Sequence, residues 1–188
     1  MLVVLLAPFV APVVLLLAAL VRLDGGPAFY DQWRIGRHGR HFRLWKLRTM
    51  VEDADDRLAG LLARDPAARA EWDRTQKLRD DPRVTPVGRL LRATSLDELP
   101  QLWNVLTGAM SLVGPRPMMV AQADLYPGRA YYRLRPGVTG LWQVSRRNDV
   151  SFADRARYDR RYASRVSLTT DLRVMAATLW VVVLATGH

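Results

Sequence analysis

The first 21 residues carry no charged side chain, and this apolar run constrains the fold more than any other feature. Its sequence is MLVVLLAPFVAPVVLLLAALV. An apolar helix of about 20 residues is long enough to cross the roughly 30 Å hydrocarbon core of a bilayer. A secretory signal peptide fits poorly, because no positive residue precedes the run and no small-residue cleavage pattern follows it. The segment therefore predicts membrane association.

Two prolines lie inside the apolar run, and they leave its path through the membrane open. Pro8 and Pro12 each remove a helix hydrogen bond and crowd the preceding turn, so we expect the segment to bend. It could span the bilayer, or enter and return on the same face. The residues alone favour the span. We treat residues 1–23 as the leader and residues 24–188 as a separate domain.

The remainder of the chain is strongly basic. The sequence has 28 Lys and Arg against 18 Asp and Glu, a net charge of +10, and it has no cysteine, which excludes disulfide, thiolate and cysteine-ligated metal chemistry. Basic residues after the leader indicate a cytoplasmic domain and attract anionic headgroups. Charge alone also fits a basic module that binds nucleic acid or anionic lipid. The basic residues nearest the leader are Arg22, Arg34, Arg37, Arg40, Arg43, Lys46 and Arg48.

Apolar spacing and turn residues predict the later elements. Residues 28–50 read as short strands or irregular structure, and residues 51–78 as two amphipathic helices separated at Pro66. Residues 84–113 carry a second helical pattern that Gly108 can end. A charged helix is expected over 152–165. The last apolar stretch, within 171–185, is too short for a routine span and fits a core helix or one lying on the membrane.

The most informative stretch is RATSLDELPQ, residues 92–101. Ser95 and Glu98 have the spacing of a capping box that would open a helix. Pro100 argues instead for a helix that begins at the proline, because inside the helix it would delete a backbone hydrogen bond. In that case Asp97 and Glu98 lie just before a helix N-terminus, a location suited to phosphate.

Two adjacent carboxylates invite two chemical roles. One can attack a phosphorus atom, and the other can hold the Mg²⁺ that nucleotide diphosphates carry. Arg116 lies between Pro115 and Pro117, so a stiff backbone presents its guanidinium to a phosphate. Arg92 and Lys46 are further candidates. The histidines show no metal-ligand or triad spacing, and the glycine-rich phosphate-binding motifs do not occur.

Three runs of sequence resemble the bacterial sugar transferase family, the monotopic phosphoglycosyl transferases. They are FRLWKLRTM, DPRVTPVGRLLRATSLDELPQLWNVLTGAMSLVGPRP and RPGVTGLWQV. The resemblance covers essentially the whole chain. It implies transfer of a sugar 1-phosphate from a UDP-sugar to undecaprenyl phosphate with release of UMP, which initiates assembly of an exopolysaccharide or another glycan. The implied partners are these two substrates and membrane lipids rather than nucleic acid, and a homo-oligomer is left open.

The same resemblance assigns roles to individual residues. Asp97 would be the nucleophile that forms a covalent phospho-sugar intermediate. Glu98 would be the protein ligand of Mg²⁺. Six further positions match substrate-binding positions of the family: Lys46, Arg92, Arg116, Arg147, Asp159 and Asp171.

The resemblance also changes the expected path of the leader. In the family this segment is a re-entrant helix-break-helix on the cytoplasmic side, and Ala11-Pro12 stands where a Ser-Pro break is usual. The expected fold is an α-rich α+β class: a re-entrant segment over residues 1–23, then a small catalytic domain over 24–188 with amphipathic interfacial helices. Because no counterpart of the four-helix extension of larger relatives precedes the leader, we expect the minimal catalytic form at the cytoplasmic face of the bacterial cell membrane.

Overall fold

The computed structural model describes residues 2–145 and 151–183, and it is a mixed structure of helices and short strands. The helices are α1 (Leu2–Arg22), α2 (Ala54–Arg64), α3 (Pro66–Thr75), α4 (Pro86–Ala93), α5 (Gln101–Leu106), α6 (Ala130–Arg133), α7 (Arg155–Ala163) and α8 (Leu168–Val183). The strands are β1 (Phe29–Ile35), β2 (His41–Leu47), β3 (Ser111–Val113), β4 (Met118–Met119) and β5 (Gly137–Thr139). An α-rich α+β class with an apolar N-terminal helix is therefore confirmed.

The leader folds as one helix, with Pro8 and Pro12 both inside α1. The expected break at Pro12 therefore does not end the helix. Among the described residues α1 is the one helix long and apolar enough to cross a membrane, from Val3 to Arg22. Length and composition fit a span and a re-entrant path equally.

The C-terminal end of α1 is anchored in the domain. Ala18 and Val21 pack against Ala28, Leu47 and Leu91 in a buried apolar cluster. Most of the helix before this end is exposed, as with Phe9, which is 75% exposed. Apolar surface of this kind is stable in contact with lipid rather than water. The C-terminal end of the helix is thus fixed to the domain, and the exposed apolar surface before it is suited to contact with lipid.

Strands β1 and β2 form a hairpin. Pairing is antiparallel from Phe29 opposite Leu47 to Ile35 opposite His41. The connection contains His38 and Gly39, both with positive φ. The other edge of β1 pairs antiparallel with β4, so the chain just before β4 lies beside β1. The strands or irregular structure expected over residues 28–50 are thus a hairpin.

Prolines and polar caps divide the helical regions. The separation expected at Pro66 is confirmed, because the Asp65 carboxylate accepts hydrogen bonds from the backbone N–H groups of Ala67 and Ala68 and starts α3. The stop at Gly108 is also confirmed, since α5 ends at Leu106 and Gly108 has a φ of 78°. No residue of α2 or α3 is buried. Their placement on the membrane surface stays a prediction.

The C-terminal helices begin at positions that the sequence pattern only approximates. The charged helix expected over 152–165 is α7. Helix α8 begins at Leu168, earlier than expected, because the Ser167 hydroxyl accepts a hydrogen bond from the N–H of Thr170. Val174 is buried, whereas Trp180 is 67% exposed. The middle of α8, at Val174 and Met175, therefore packs in the core, and its apolar C-terminal end does not.

The segment before Arg116 is fixed by close backbone contact. β3 and β5 pair in parallel, and a Cβ atom at Gly114 would overlap the carbonyl oxygen of Arg135. Gly137 donates its N–H to the carbonyl of Pro115 at 2.8 Å. Only glycine fits such an approach. The 114–117 segment is thus held rigidly against the 135–140 segment.

Gly88→Ala should destabilise the protein and disturb the site. The added Cβ would overlap the Thr49 carbonyl group, which forces α4 away from β2. We expect the free energy of unfolding to fall by about 1–3 kcal/mol. Gly60→Ala is the matched control, because its Cβ meets only the end of Arg64 at 3.8 Å and alanine favours helix by up to about 1 kcal/mol. Chemical unfolding in one detergent compares the two, and equal effects would contradict the packing described.

Candidate active site

Asp97 and Glu98 lie on a short 3-10 turn, Leu96–Glu98, between α4 and α5. Ser95 adopts a left-handed conformation with φ of 56°, and its side chain caps nothing. The capping-box interpretation is therefore wrong. Helix α5 begins at Gln101, directly after Pro100, so the alternative start at the proline is correct to within one residue. The turn places the two carboxylates side by side just before α5.

The Asp97 carboxylate is buried and paired with a lysine. Asp97 is only 5% exposed. Lys46 Nζ lies 3.4 Å from Asp97 Oδ2 and 2.7 Å from Glu98 Oε1. Lys46 comes from β2, 51 residues away in sequence, so the ammonium joins the hairpin to the turn. A single cation thus holds both carboxylates at one place.

The side chain of Asn104 fixes the hairpin to α5. Its Oδ1 accepts the backbone N–H of Trp45 at 3.1 Å, and its Nδ2 donates to the carbonyl of Arg43 at 2.7 Å. Asn104 is buried, so both bonds are shielded from water. They set the position of β2, and hence of Lys46, relative to the carboxylates.

Burial raises the pKa of Asp97, and the charges around it act in both directions. Loss of hydration is the largest effect, Lys46 and Arg92 oppose it, and the negative charge of Glu98 adds to it. A carboxylate stripped of water is a stronger nucleophile than a hydrated one. The environment of Asp97 therefore suits attack, provided that the nearby cations keep it ionised.

Arg92 and Arg116 place two more positive charges near the carboxylates. Arg92 extends from α4, and its Nε donates to Thr49 Oγ1 at 2.9 Å while its charge acts on Asp97. Arg116 Nη1 lies 3.5 Å from Glu98 Oε1. Arg116 also stacks over Trp142, with its Cζ 5.9 Å from the ring centroid. Lys46, Arg92 and Arg116, predicted from sequence, therefore all surround the pair.

Arg34 is a fourth cation at the site that the sequence reasoning missed. It lies on β1 and lines a cleft together with Lys46, Glu98 and Arg116. In the sequence it is one of several arginines after the leader, and it was counted only as part of the positive charge there. Its alternation with Gln32 on one face of β1 was the available signal, because residues two apart in a strand share a face.

Asp159 and Asp171 are not in contact with the carboxylate pair. Asp159 accepts a 2.7 Å hydrogen bond from the Tyr126 hydroxyl and lies in a second cavity that shares Arg116 with the first. Asp171 accepts a 2.7 Å hydrogen bond from the Tyr162 hydroxyl, which ties α8 to α7. The expectation that these residues bind substrate stays a prediction. Arg147 lies outside the described residues.

The site offers two carboxylates to a metal ion. Over residues 2–145 and 151–183, no group of three or more metal-ligating side chains occurs. Mg²⁺ usually takes one or two protein carboxylates, with substrate phosphate and water as its other ligands. Glu98 and Asp97 fit that limited donor set. A metal at this place would depend on the phosphates of the substrate.

Comparison with known proteins identifies the family of this chain. The pattern of the bacterial sugar transferase family matches residues 1–185. The chain is 49% identical over 180 residues to an exopolysaccharide production protein, ExoY, of Sinorhizobium fredii, covering 94% of this chain and 80% of that protein. It is 48% identical over 179 residues to an undecaprenyl-phosphate galactose phosphotransferase of Salmonella typhimurium, covering 94% of this chain and 38% of the relative.

A third relative extends the comparison to another sugar. A UDP-glucose:undecaprenyl-phosphate glucose-1-phosphate transferase of Caulobacter vibrioides is 47% identical over 148 residues, covering 74% of this chain and 49% of the relative. The chain thus spans less than half the length of two of these three relatives. Because the family pattern covers nearly all of it, the chain belongs to the bacterial sugar transferase family.

Asp159→Asn should change how stability depends on pH. Burial raises the pKa of Asp159 to about 6, against 3.8 for an unperturbed Asp. Between these values the folded protein keeps a proton that the unfolded chain has released. The free energy of unfolding therefore falls as pH rises from about 4 to about 6, by at most about 3 kcal/mol, and the Asn variant lacks this contribution.

Urea unfolding in detergent micelles from pH 4 to pH 8 measures the difference between parent and variant. Asp56→Asn is the control, because Asp56 is exposed at the start of α2. Curves that run parallel for the parent and Asp159→Asn would contradict the raised pKa.

Proposed function

We propose that the protein transfers a sugar 1-phosphate from a UDP-sugar to undecaprenyl phosphate and releases UMP. The observation that carries this proposal is the buried Asp97 carboxylate, held by Lys46 and surrounded by arginines. Membership in the family and the names of two relatives, both of which are sugar phosphate transferases to undecaprenyl phosphate, support it. The product, a lipid diphosphate sugar, would begin assembly of an exopolysaccharide or related glycan.

The chemistry divides into two displacements at one phosphorus atom. Asp97 Oδ attacks the sugar-bearing phosphate of the UDP-sugar, a P–O bond to Asp97 forms, and the P–O bond to the nucleotide phosphate breaks. UMP leaves with that electron pair. A phosphate oxygen of the lipid then attacks the same phosphorus and displaces Asp97 as a free carboxylate. Neither displacement needs a proton from Asp97, so an ionised carboxylate suffices.

Fixed cations neutralise the charge that develops on the leaving phosphate. Lys46 and Arg116 already contact Glu98, and both are positioned by strands or rigid loop segments before substrate arrives. Donors that need no rearrangement give the largest stabilisation of a transition state. Glu98, with Asp97 beside it, would hold Mg²⁺, which supplies Lewis-acid neutralisation of the diphosphate when bound. The protein's own part is to orient the diphosphate in line with Asp97.

The leader supports action at a membrane surface. Helix α1 contacts α4 and α5, the two helices that flank the carboxylate turn. The site is thus attached directly to the segment that enters the lipid. We propose a re-entrant path for the leader, with the domain at the cytoplasmic face. There the nucleotide sugar has access to the site, and the basic residues after the leader contact anionic headgroups.

Asp97→Asn tests the assignment of the nucleophile. Incubation with Mg²⁺ and a UDP-sugar labelled in its sugar should transfer label to the parent protein and release UMP, and the Asn variant should do neither, because a neutral amide does not attack phosphorus. UDP-glucose and UDP-galactose are the first donors to try. Intact-protein mass spectrometry and nucleotide chromatography measure the two products.

Asp56→Asn serves as the matched control, since it removes an exposed carboxylate from α2 and should label like the parent. Labelling of Asp97→Asn to the parental extent would show that another group is the nucleophile.

The path of the leader is testable because the chain has no cysteine. Single cysteines at Leu2 and at Asp24 mark the two ends of α1. A re-entrant path predicts that a membrane-impermeant thiol reagent labels both from the cytoplasmic side of inverted vesicles and neither from outside intact spheroplasts. Labelling of Leu2→Cys from outside, with Asp24→Cys labelled from inside, would establish a span instead.

A further inference from the structure

Arg34 is a partly buried cation with no carboxylate partner among the described residues. Its Nη1 donates to the carbonyl of Pro117 at 3.2 Å, and its Nη2 donates to Gln32 Oε1 at 2.6 Å. Its Nε is fully buried and has no hydrogen-bond partner there. A buried guanidinium normally has an anionic partner, since neutral acceptors do not balance its charge. The side chain is thus held in place by neutral acceptors and leaves its charge available.

A second arginine lies next to this charge. Burial, followed by the repulsion of Arg116, lowers the pKa of Arg34 to about 10. Arg34 and Arg116 line one cleft with Lys46 and Glu98. Two guanidinium groups that repel each other at a cleft are stabilised by an anion that binds both.

The cations are not distributed evenly around the two carboxylates. Arg116 Nη1 lies 3.5 Å from Glu98 Oε1, and the cleft that Arg34 lines includes Glu98 but not Asp97. Lys46 contacts both carboxylates. Arg34 and Arg116 therefore belong to the Glu98 end of the site, beyond the carboxylate that attacks.

We propose that Arg34 and Arg116 together bind the phosphate that leaves with the nucleotide when Asp97 attacks the sugar-bearing phosphate. The assignment rests on the proposed function for the direction of attack. It follows because the attacking and leaving oxygens lie roughly in line across the phosphorus. With Asp97 on one side, the leaving phosphate lies on the other, where the unpaired positive charge of Arg34 is found.

The same geometry extends the assignment to the lipid substrate. In the second displacement Asp97 is the leaving group, so the lipid phosphate must approach from the opposite side. That side is the place just vacated by the nucleotide phosphate. Arg34 and Arg116 therefore bind the two phosphates in turn, and UMP and the lipid phosphate compete for one subsite.

Arg34→Gln tests the proposal by binding alone, without turnover. UMP titrated calorimetrically into the purified protein in detergent should bind about tenfold more weakly to this variant than to the parent, because a charge-assisted contact to phosphate is lost. Arg34→Lys keeps the charge without the planar fork and should lie between the two. Arg43→Gln is the matched control on the same hairpin, where Arg43 is exposed and pairs with Asp31, and it should bind UMP like the parent.

Thermal unfolding of each variant separates binding from folding. If Arg34→Gln does not fold, Arg34→Lys decides: weaker UMP binding by about threefold or more at an unchanged unfolding temperature supports the proposal. UMP affinity equal to that of the parent in the folded variants would overturn it.

Kinetics test the shared subsite. Arg34→Gln should have a raised KM for both the UDP-sugar and undecaprenyl phosphate. A KM that rises only for the UDP-sugar would overturn the assignment of the lipid phosphate to this subsite. If the parent binds UMP through Arg34 but releases none from any UDP-sugar, the proposed function fails while the phosphate subsite stands.

Discussion

The ion pair between Lys46 and the adjacent carboxylates Asp97 and Glu98 is the interaction on which the rest of the structure depends. A carboxylate that is only 5% exposed is stable in its charged form only beside compensating charge. Lys46 supplies that charge from β2, and Asn104 fixes β2 to α5 through two backbone hydrogen bonds. The hairpin, the turn and α5 therefore form one unit, and a displacement of any of them separates the Lys46 ammonium from the Asp97 carboxylate.

This unit concentrates more positive charge than its two carboxylates balance. Lys46, Arg92, Arg116 and Arg34 all lie near the pair, and burial, followed by the repulsion of Arg116, lowers the pKa of Arg34 to about 10. In the free protein this surplus is a cost, since like charges in a half-buried cleft repel. The proposed diphosphate substrate would relieve this repulsion, so the repulsion would favour nucleotide binding. Part of the net charge of +10 is thus concentrated in the cations around Asp97 and Glu98.

The sequence predicted the helix boundaries that depend on single residues. Pro66 separates α2 from α3 because it has no N–H to donate, and Gly108 follows the end of α5 because glycine, without a side chain, adopts a positive φ. Both effects can be read from the residue itself. The capping box failed because Ser95 takes a left-handed conformation ahead of Pro100. Lys46 was predicted as a phosphate-binding cation, but its contact with Asp97, 51 residues away in sequence, was not predicted. Arg34 was missed because its role depends on β4 pairing beside β1, which no local pattern encodes.

The position of the carboxylate turn supports the proposal that a soluble nucleotide and a membrane lipid react at one aspartate. The turn joins α4 to α5, and both helices contact α1. Leu90 on α4 and Trp103 on α5 are each more than 60% exposed, although both are large and apolar. Such side chains beside an apolar leader favour burial in the interfacial region of a bilayer, where tryptophan in particular is stable. Lipid contact on these helices would set Asp97 at the depth of the headgroups, so that an acceptor phosphate reaches it without leaving the membrane, while the cleft of Arg34 and Arg116 stays open to the nucleotide.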